Sequence, residues 1–279
     1  MYKSSLFEQL PQLLYITNTQ GMREYFPRML HKHKDHLEIV FIAKGRGTHI
    51  IGDTKYDTKA GDILIFNQNV LHDEMAQIHS EMVTYCCGIG NLKIKGMERN
   101  CLFDLRLPAV ISSGKHQDTI EKIIDMMFCS VKNAQTHARE FSNYLLFSLL
   151  TLIVSLPQNT VQRFFYKKFT LVDQVKDYIE QHYTQALSVD HIAHYFNISP
   201  SYLSHLFKRE SKFPLMQYVN RRRIGEAQSL LMTTKYSITQ IALMVGYENI
   251  NYFSTAFTKM LGITPTQYRR QWIGKELTL

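Results

Sequence analysis

The sequence predicts an α+β protein of two domains, an N-terminal β-barrel with a helical segment and a C-terminal all-α domain. Three observations support this fold class. Segments rich in β-branched and aromatic residues recur over the first hundred positions, helical periodicity begins after Gly114, and the tail contains an internal repeat. The predicted boundaries are 1–112 for the barrel, 113–157 for a helical dimerisation segment, 158–169 for a linker and 170–279 for the helical domain.

The composition is typical of a folded globular protein, because 45% of the 279 residues are hydrophobic and 20% are charged. A mainly disordered chain is therefore excluded. The formal net charge of +8 favours a polyanionic partner. It does not say which domain would bind that partner, since residues 171–279 carry 12 basic and 8 acidic side chains and the preceding part carries 20 and 16.

The sequence also indicates where the chain works. Its N-terminus lacks the pattern of a secretory signal, and its most apolar segment, residues 144–156, is too short to cross a bilayer. The four cysteines show no C-x-x-C spacing. We therefore expect a cytoplasmic protein with reduced thiols, in which the adjacent Cys86 and Cys87 point to opposite faces of a strand and are buried and inert.

Short strands separated by turns are predicted for the first domain. A type II′ hairpin is expected at Gly52, because glycine adopts a positive φ at little cost. The predicted strands cover residues 37–42, 48–51, 54–56, 63–66 and 82–87.

Two helices are predicted after Gly114, the second over residues 136–156. This second helix is apolar nearly all round, with one stripe formed by Phe141, Leu145, Ser148 and Leu152, so it needs cover on more than one side. It is either wedged between the barrel and the tail or forms the seam of a homodimer. The homodimer is favoured, because an exposed apolar face of this size is costly for a monomer.

The tail is predicted to be entirely helical. Ser188, Ser199 and Asn249 are expected to be N-caps, Pro200 occupies the first position of its helix, and Gly262 closes the helix that begins after Asn249. Further helices are expected to begin at Leu171, at Leu215, after Ser237 or Thr239, and at Pro265.

An internal repeat divides the tail into two helix-turn-helix units. Ile192-Ala193 matches Ile241-Ala242 at an offset of 49, and Phe207 matches Phe257 at an offset of 50. At that second offset, Tyr202-Leu203-Ser204 also matches Tyr252-Phe253-Ser254, and Tyr218 matches Tyr268. The extra residue is expected in the turn, and the second helix of each unit is free to enter a major groove.

Helical geometry separates core residues from candidate DNA contacts on these second helices. Leu203, Leu206 and Phe207 point inward in the first unit, and Phe253, Ala256, Phe257 and Met260 in the second. The candidate contacts, which are short polar or basic side chains suited to base edges and phosphates, are Ser199, Ser201, Ser204, His205, Lys208 and Arg209, then Asn249, Asn251, Ser254, Thr255, Thr258 and Lys259. A solvated surface has the same composition, but two copies in matching register favour DNA binding.

A helix over residues 215–231, about 25 Å long, joins the two units. Such a rod can help to place two reading helices one turn of DNA apart, about 34 Å. Arg221, Arg222 and Arg223 lie on it. One or two of them could contact phosphates, and Arg223 could equally be a structural pairing residue.

The tail closely resembles the C-terminal signature of AraC/XylS-type transcription regulators. The resemblance rests on Ile241-Ala242, Val245-Gly246-Tyr247, Tyr252-Phe253-Ser254, Phe257, Gly262-Ile263-Thr264-Pro265 and Tyr268-Arg269, with Arg223-Ile224, Ala227 and Leu230-Leu231 in the linker helix. One departure is Lys212, where the first unit of the family usually carries glycine. The lysine should strain that helix end without removing the fold.

The first domain resembles a cupin. His31, His33, Glu38 and His72 match the residues that hold a divalent metal in cupin enzymes, although Asn67-Gln68-Asn69 stands where the second motif has Pro-x-Gly. Sensor domains of AraC type commonly carry similar residues without a catalytic metal. We therefore expect no metal or other cofactor, and a small-molecule pocket lined by some of these four residues. A bound metal and an empty barrel with structural histidines stay open.

The resemblance implies a sequence-specific DNA-binding transcription regulator, an activator controlled by an effector such as a sugar, and not an enzyme. The implied partners are double-stranded promoter DNA, the small-molecule effector, RNA polymerase and a second copy of the chain, with no membrane. Two alternatives stay open: a metal-dependent cupin enzyme with an appended DNA-binding tail, and a nonspecific architectural DNA binder.

Overall fold

A computed structural model of the chain describes residues 6–20, 28–52, 54–74, 82–104, 107–156, 170–272 and 277–278. The described residues form two compact units, each considered by itself. The β-rich unit contains those within 6–20, 32–156 and 277–278, and the helical unit contains 28–31 and 170–272. The predicted linker, residues 158–169, lies outside the described residues.

Antiparallel strands build the β-rich unit. A six-stranded sheet has the order β10-β6-β3-β8-β2-β11, a three-stranded sheet has the order β5-β4-β7, and β1 pairs with β9. The strands are β1 Phe7–Gln9, β2 Gln12–Asn18, β3 Leu37–Lys44, β4 Arg46–Ile51, β5 Thr54–Lys59, β6 Asp62–Phe66, β7 His72–Glu74, β8 Val83–Gly90, β9 Lys93–Ile94, β10 Val110–Ser112 and β11 Leu277–Thr278.

The five predicted strands are confirmed as elements, and their bounds are wrong by two or three residues at one end for β3, β4, β5 and β8, which are longer than predicted. The long strand β2 was not predicted, and neither were the short strands β1, β7, β9, β10 and β11. Gly52 has a φ of +56°, as the predicted hairpin requires.

Alternate residues of the central strands enter two different cores. Ile39 and Phe41 of β3 belong to the core that also contains residues of α1 and α2, whereas Val40 and Ile42 belong to a second core with Ile51 of the three-stranded sheet. Because both faces of β3 are covered, its residues 39–43 are continuously apolar. Period-two alternation places Glu38 on the same side as Val40 and Ile42, toward the space between the two sheets.

Two helices cover the outer face of the six-stranded sheet, α1 (Gln117–Lys132) and α2 (Ala138–Ser155). Helix α2 buries Leu146, Leu149, Leu150 and Ile153. No residue of the predicted stripe is buried: Phe141 is 44% exposed, and its neighbour Tyr144 is 74% exposed. The described residues therefore cover only one face of this helix.

The helical unit contains seven helices within its described residues. They are α3 Leu171–His182, α4 Val189–Tyr195, α5 Pro200–Ser211, α6 Leu215–Thr233, α7 Ile238–Met244, α8 Ile250–Leu261 and α9 Pro265–Trp272. The predicted caps Ser188, Ser199, Asn249 and Gly262 are confirmed. Ser237, rather than Thr239, caps α7 through a capping box with Gln240.

Helix α6 packs against residues 28–31, which belong to the helical unit although they precede most of the β-rich unit in sequence. The backbone N–H of Met29 donates to Oε1 of Gln228 over 2.8 Å, and Nη2 of Arg28 donates to Oγ of Ser229 over 2.9 Å. A β-carbon at Gly225 would lie 2.3 Å from the carbonyl oxygen of Leu30. Glycine is therefore required at this close approach, which the sequence did not reveal.

No helix in the described ranges combines the length and the apolar character that a bilayer span requires.

Candidate DNA interface and barrel site

Local hydrogen bonds shape the turns of the two helix-turn-helix units in the same way. The N–H of Ile198 donates to the carbonyl of Ala193, and the N–H of Tyr247 donates to that of Ala242, 49 positions later. The N-caps Ser199 and Asn249 are 50 positions apart. The extra residue therefore lies in the turn, as predicted.

Positive φ values give both turns their sharp bend. Asn197 has a φ of +53°, and the equivalent Gly246 has a φ of +89°. A β-carbon at Gly246 would lie 2.8 Å from the carbonyl oxygen of Thr184. Only the second turn therefore requires glycine for close approach, in addition to its conformation.

Matching aromatic contacts fix the second helix of each unit, α5 and α8, which we call the recognition helices. The rings of Phe207 and Tyr218 are 5.4 Å apart and meet edge to face, and those of Phe257 and Tyr268 are 5.5 Å apart in the same arrangement. The predicted inward residues are buried except Ala256 and Met260, which are only partly buried because Leu261 completes the second core instead.

The predicted DNA contacts lie on the recognition helices or at their N-caps. Exposed ones are Ser201, His205, Lys208, Arg209, Asn251, Thr255 and Lys259, while Ser204, Ser254 and Thr258 are partly exposed. Ser199 and Asn249 are exposed, but their side-chain oxygens accept the N–H of Tyr202 and of Asn251 and Tyr252. The structure thus gathers these residues on two matching helix faces.

The three arginines of α6 have different environments. Arg222 is 1% exposed, and its guanidinium donates to both carboxylate oxygens of Glu180 and to Glu226 at 2.8–3.1 Å. Arg223 donates to the backbone carbonyls of Tyr183 and Gln185. The guanidinium groups of Arg222 and Arg223 are both bonded within the helical unit, which for Arg223 is the structural role that the sequence left open.

Three of the four cupin-like residues, His33, Glu38 and His72, are neighbours in the β-rich unit. Glu38 and His72 are at most 4% exposed, and His33 is partly exposed. The fourth residue, His31, is buried and belongs to the helical unit, where its Nδ1 lies 2.8 Å from the carbonyl oxygen of Met29.

Glu38 has a different set of neighbours at each carboxylate oxygen. Oε1 accepts the hydroxyl of Tyr15 at 2.8 Å and the thiol of Cys86 at 2.7 Å. Oε2 lies 3.3 Å from Nε2 of His33 and 3.4 Å from Nε2 of His72. Burial alone would raise the pKa of Glu38, but the charges and hydrogen bonds of His33 and His72 hold that pKa well below its usual range.

Cys86 and Cys87 do point to opposite faces of β8, as predicted. Cys87 lies in the core beneath α1 and α2, where burial raises its pKa to about 12. Cys86 was expected to be buried and inert, and the expected burial is wrong. It is only partly buried and donates to Glu38, because β8 pairs with β3 and presents alternate side chains to the same interior.

Two family models cover most of the chain. A model of the AraC-like ligand-binding domain matches residues 13–150, and a model of a helix-turn-helix domain matches residues 192–271. The chain belongs to the AraC family of transcription regulators.

Transcription regulators are similar to this AraC-family chain over most of its length. It is 26% identical to YdiP, an uncharacterized HTH-type transcriptional regulator of Escherichia coli (strain K12), over 87% of this chain and 81% of the relative. It is 24% identical to the HTH-type transcriptional activator RhaR of Mannheimia succiniciproducens over 92% and 93%. The Msm operon regulatory protein of Streptococcus mutans is 26% identical over 85% of each chain.

This AraC-family chain is therefore a DNA-binding transcription regulator with an N-terminal ligand-binding domain. The comparisons favour this function over a metal-dependent enzyme with a DNA-binding tail.

Two exposed tyrosines on the recognition helices of this AraC-family chain were not among the predicted contacts. Tyr202 is 54% exposed and Tyr252 is 59% exposed, at positions that match in the repeat. Each directly precedes a fully buried residue, Leu203 or Phe253, so its side chain lies toward solvent. The repeat contained this signal, because a tyrosine kept in both units outside the core indicates a role at the surface.

Proposed function

We propose that both recognition helices read base pairs of double-stranded promoter DNA through the polar and basic residues predicted from the sequence. One observation carries this proposal: the two units agree in their caps, turns, aromatic contacts and exposed faces. Two independent surfaces would not share this register. The exposed side chains are of the kinds that bind base edges and phosphates.

The barrel would bind a small-molecule effector rather than transform it, at or beside His31, His33, Glu38 and His72. Buried imidazoles, a carboxylate and the hydroxyl of Tyr15 suit a polar metabolite such as a sugar, because they offer both donors and acceptors. The effector would favour either the DNA-competent or the incompetent arrangement of the protein. In its effector-bound or effector-free form, the protein would activate transcription in the cytoplasm by contacting RNA polymerase. One relative, RhaR, is named a transcriptional activator.

A homodimer would form through the outward face of α2. Phe141 and Tyr144 are both exposed on that face, and exposed apolar patches mark sites of association. Two copies would double the number of DNA-reading units, which increases affinity without new types of contact.

The test of base reading compares full-length variants on a DNA site selected by the wild-type protein. Asn251→Ala and His205→Ala should each weaken binding to that site by about 1–3 kcal/mol and relax the choice at one base pair. Gln181→Ala, an exposed change on α3, should leave binding unchanged. Fluorescence anisotropy on matched and mismatched duplexes measures both effects. Equal weakening on every duplex would contradict base reading and indicate phosphate contacts instead.

A further inference from the structure

The C-terminal end of α5, the recognition helix of the first unit, is more basic than the matching end of α8. At the offset of 50, the exposed side chains of Lys208, Arg209 and Lys212 correspond to Thr258, Lys259 and Gly262. We propose that Lys212 binds a DNA phosphate beside Lys208 and Arg209. The second unit has glycine at the equivalent position and lacks this contact. The proposal rests on the proposed DNA-binding function and adds Lys212 to its contact residues.

The length of α5 brings its last turn to the DNA backbone. The helix has 12 residues and is therefore about 18 Å long, whereas the major groove is about 12 Å wide. In helix-turn-helix proteins, the N-terminal residues of the recognition helix contact the base edges. The last turn then extends to the edge of the groove, where the phosphates of one strand lie.

The charges at this end of α5 favour a phosphate. The C-terminal end of a helix carries a partial negative charge that repels an anion. Lys208 and Arg209 offset that charge in the last turn of α5, whereas the last turn of α8 contains Lys259. Glu210 lies 3.3 Å from Arg209, but both side chains reach the surface, and such an ion pair contributes little. Three cations and one anion leave a positive end that can bind a phosphate.

The backbone of Lys212 is held in a conformation that is costly for a side chain. Its φ is +66°, and such strain persists where the surrounding structure imposes it, often at functional positions. The hydroxyl of Ser211 donates to the carbonyl of Phe213 over 2.9 Å and accepts the N–H of Phe213 at 3.2 Å. These bonds close the turn around Lys212. The residue that matches Ser211 in the second unit is the buried Leu261, which has no hydroxyl.

The alternative role for Lys212 is to cap the helix. Its Nζ donates to the carbonyl oxygen of Arg209 over 3.0 Å, which satisfies one of the last carbonyls of α5. An ammonium group has three donors, so an exposed lysine can keep this bond and also bind a phosphate oxygen. A cap alone affects the stability of the helical unit, whereas a phosphate contact changes the salt dependence of DNA binding. The two roles are therefore separable.

Fluorescence anisotropy of the full-length protein tests the proposal, on the selected duplex and on an unrelated one, at about 50–200 mM salt. Lys212→Gly should reduce the slope of log affinity against log salt by about 0.9 on both duplexes, because one phosphate contact is lost. Over this range, raising the salt should cost the variant about 3.5-fold less affinity than it costs the wild type. Since glycine relieves the strain at this position, unfolding does not account for that result.

Further variants separate the phosphate contact from a general effect of charge. Lys212→Gln should reduce the slope as Lys212→Gly does, whereas Lys212→Arg keeps the charge and should keep the slope. Lys122→Gln is the matched control, because Lys122 is an exposed lysine on α1 of the β-rich unit. This change removes the same charge and should leave the slope unchanged.

An unchanged slope in Lys212→Gly would overturn the proposal, as would an equal reduction in Lys122→Gln or in Lys212→Arg. A wild-type protein that binds both duplexes equally would instead contradict the proposed reading of base pairs. A slope difference between wild type and Lys212→Gly would still support the phosphate contact in that case, because phosphate contacts carry no sequence information. Failure of this inference and failure of the proposed function are therefore distinguishable.

Discussion

Two residues fifty positions apart end the recognition helices in the same backbone conformation. Lys212 has a φ of +66° and Gly262 a φ of +77°, both in the left-handed region. Glycine adopts this conformation at little cost, whereas a side chain adds about 1 kcal/mol or more. The strain expected from lysine at this position is therefore present, and the helix still ends there.

This difference predicts opposite effects of two substitutions. Lys212→Gly should raise the free energy of unfolding of the helical unit by about 1 kcal/mol, and Gly262→Ala should lower it by about as much. No atom lies within 4 Å of a β-carbon at Gly262, so the second effect is purely conformational. Urea unfolding followed by circular dichroism measures both. A stabilising Gly262→Ala or a destabilising Lys212→Gly would contradict the conformational explanation.

At the residue scale, the helix caps could be predicted from the sequence, whereas contacts between side chains on different strands could not. Ser188, Ser199 and Asn249 were recognised as caps because a cap bonds backbone groups two or three positions away. The contacts of Cys86 and Tyr15 with Glu38 join three strands, and no spacing in the sequence shows them. The four cupin-like residues were found through resemblance, which supplied the long-range information that periodicity lacks.

Among the secondary-structure elements, helix α6 makes contacts that were not predicted from the sequence. It was predicted as a rod between two reading units and is 19 residues long. In addition, its Arg222 is buried and bonds the carboxylates of Glu180 and Glu226, and residues 28–31 pack against the helix at Gly225. Its sequence has little helical amphipathicity because it is surrounded on several sides, so apolar periodicity could not reveal these contacts.

Gly225→Ala should displace residues 28–31 from α6. Its β-carbon would overlap the carbonyl oxygen of Leu30, so we expect a loss of about 1–3 kcal/mol in the stability of the helical unit. Amide hydrogen exchange of Met29, whose N–H donates to Gln228, should become faster. Ser229→Ala, which removes the acceptor of Arg28 and the hydrogen bond from the Ser229 hydroxyl to the carbonyl of Gly225 but adds no atom, should have the smaller effect. Unchanged exchange of Met29 in Gly225→Ala would contradict the close packing.

For the whole molecule, the fold class was predictable because the two units differ in periodicity, two in the strands and 3.6 in the helices. The strand β2 was missed because residues 12–18 follow a proline and lack a clear alternation of apolar and polar residues. The apolar character of α2 nearly all round was evident from the sequence, whereas the choice of its buried face depends on its packing against the sheet.

The oligomeric state of the protein tests whether the outward face of α2, which contains Phe141 and Tyr144, forms a homodimer interface. Phe141→Glu and Tyr144→Glu should each convert a dimer into a monomer, because burying a charge at an apolar contact is unfavourable. Met126→Glu, at a similarly exposed position on α1, is the control and should leave the dimer intact. Sedimentation velocity over a range of concentrations distinguishes the states. A monomeric wild-type protein, or dimeric glutamate variants, would contradict an α2 interface.

Selection of genomic fragments by the full-length protein tests most directly whether two equivalent helix-turn-helix units read DNA. The enriched fragments should share a motif with two parts about 10–10.5 base pairs apart, because successive major grooves on one face of the duplex have that spacing. Substitutions on α5 should relax one part and those on α8 the other. Enrichment of no common motif, with binding that depends on salt alone, would contradict sequence-specific recognition by the paired units.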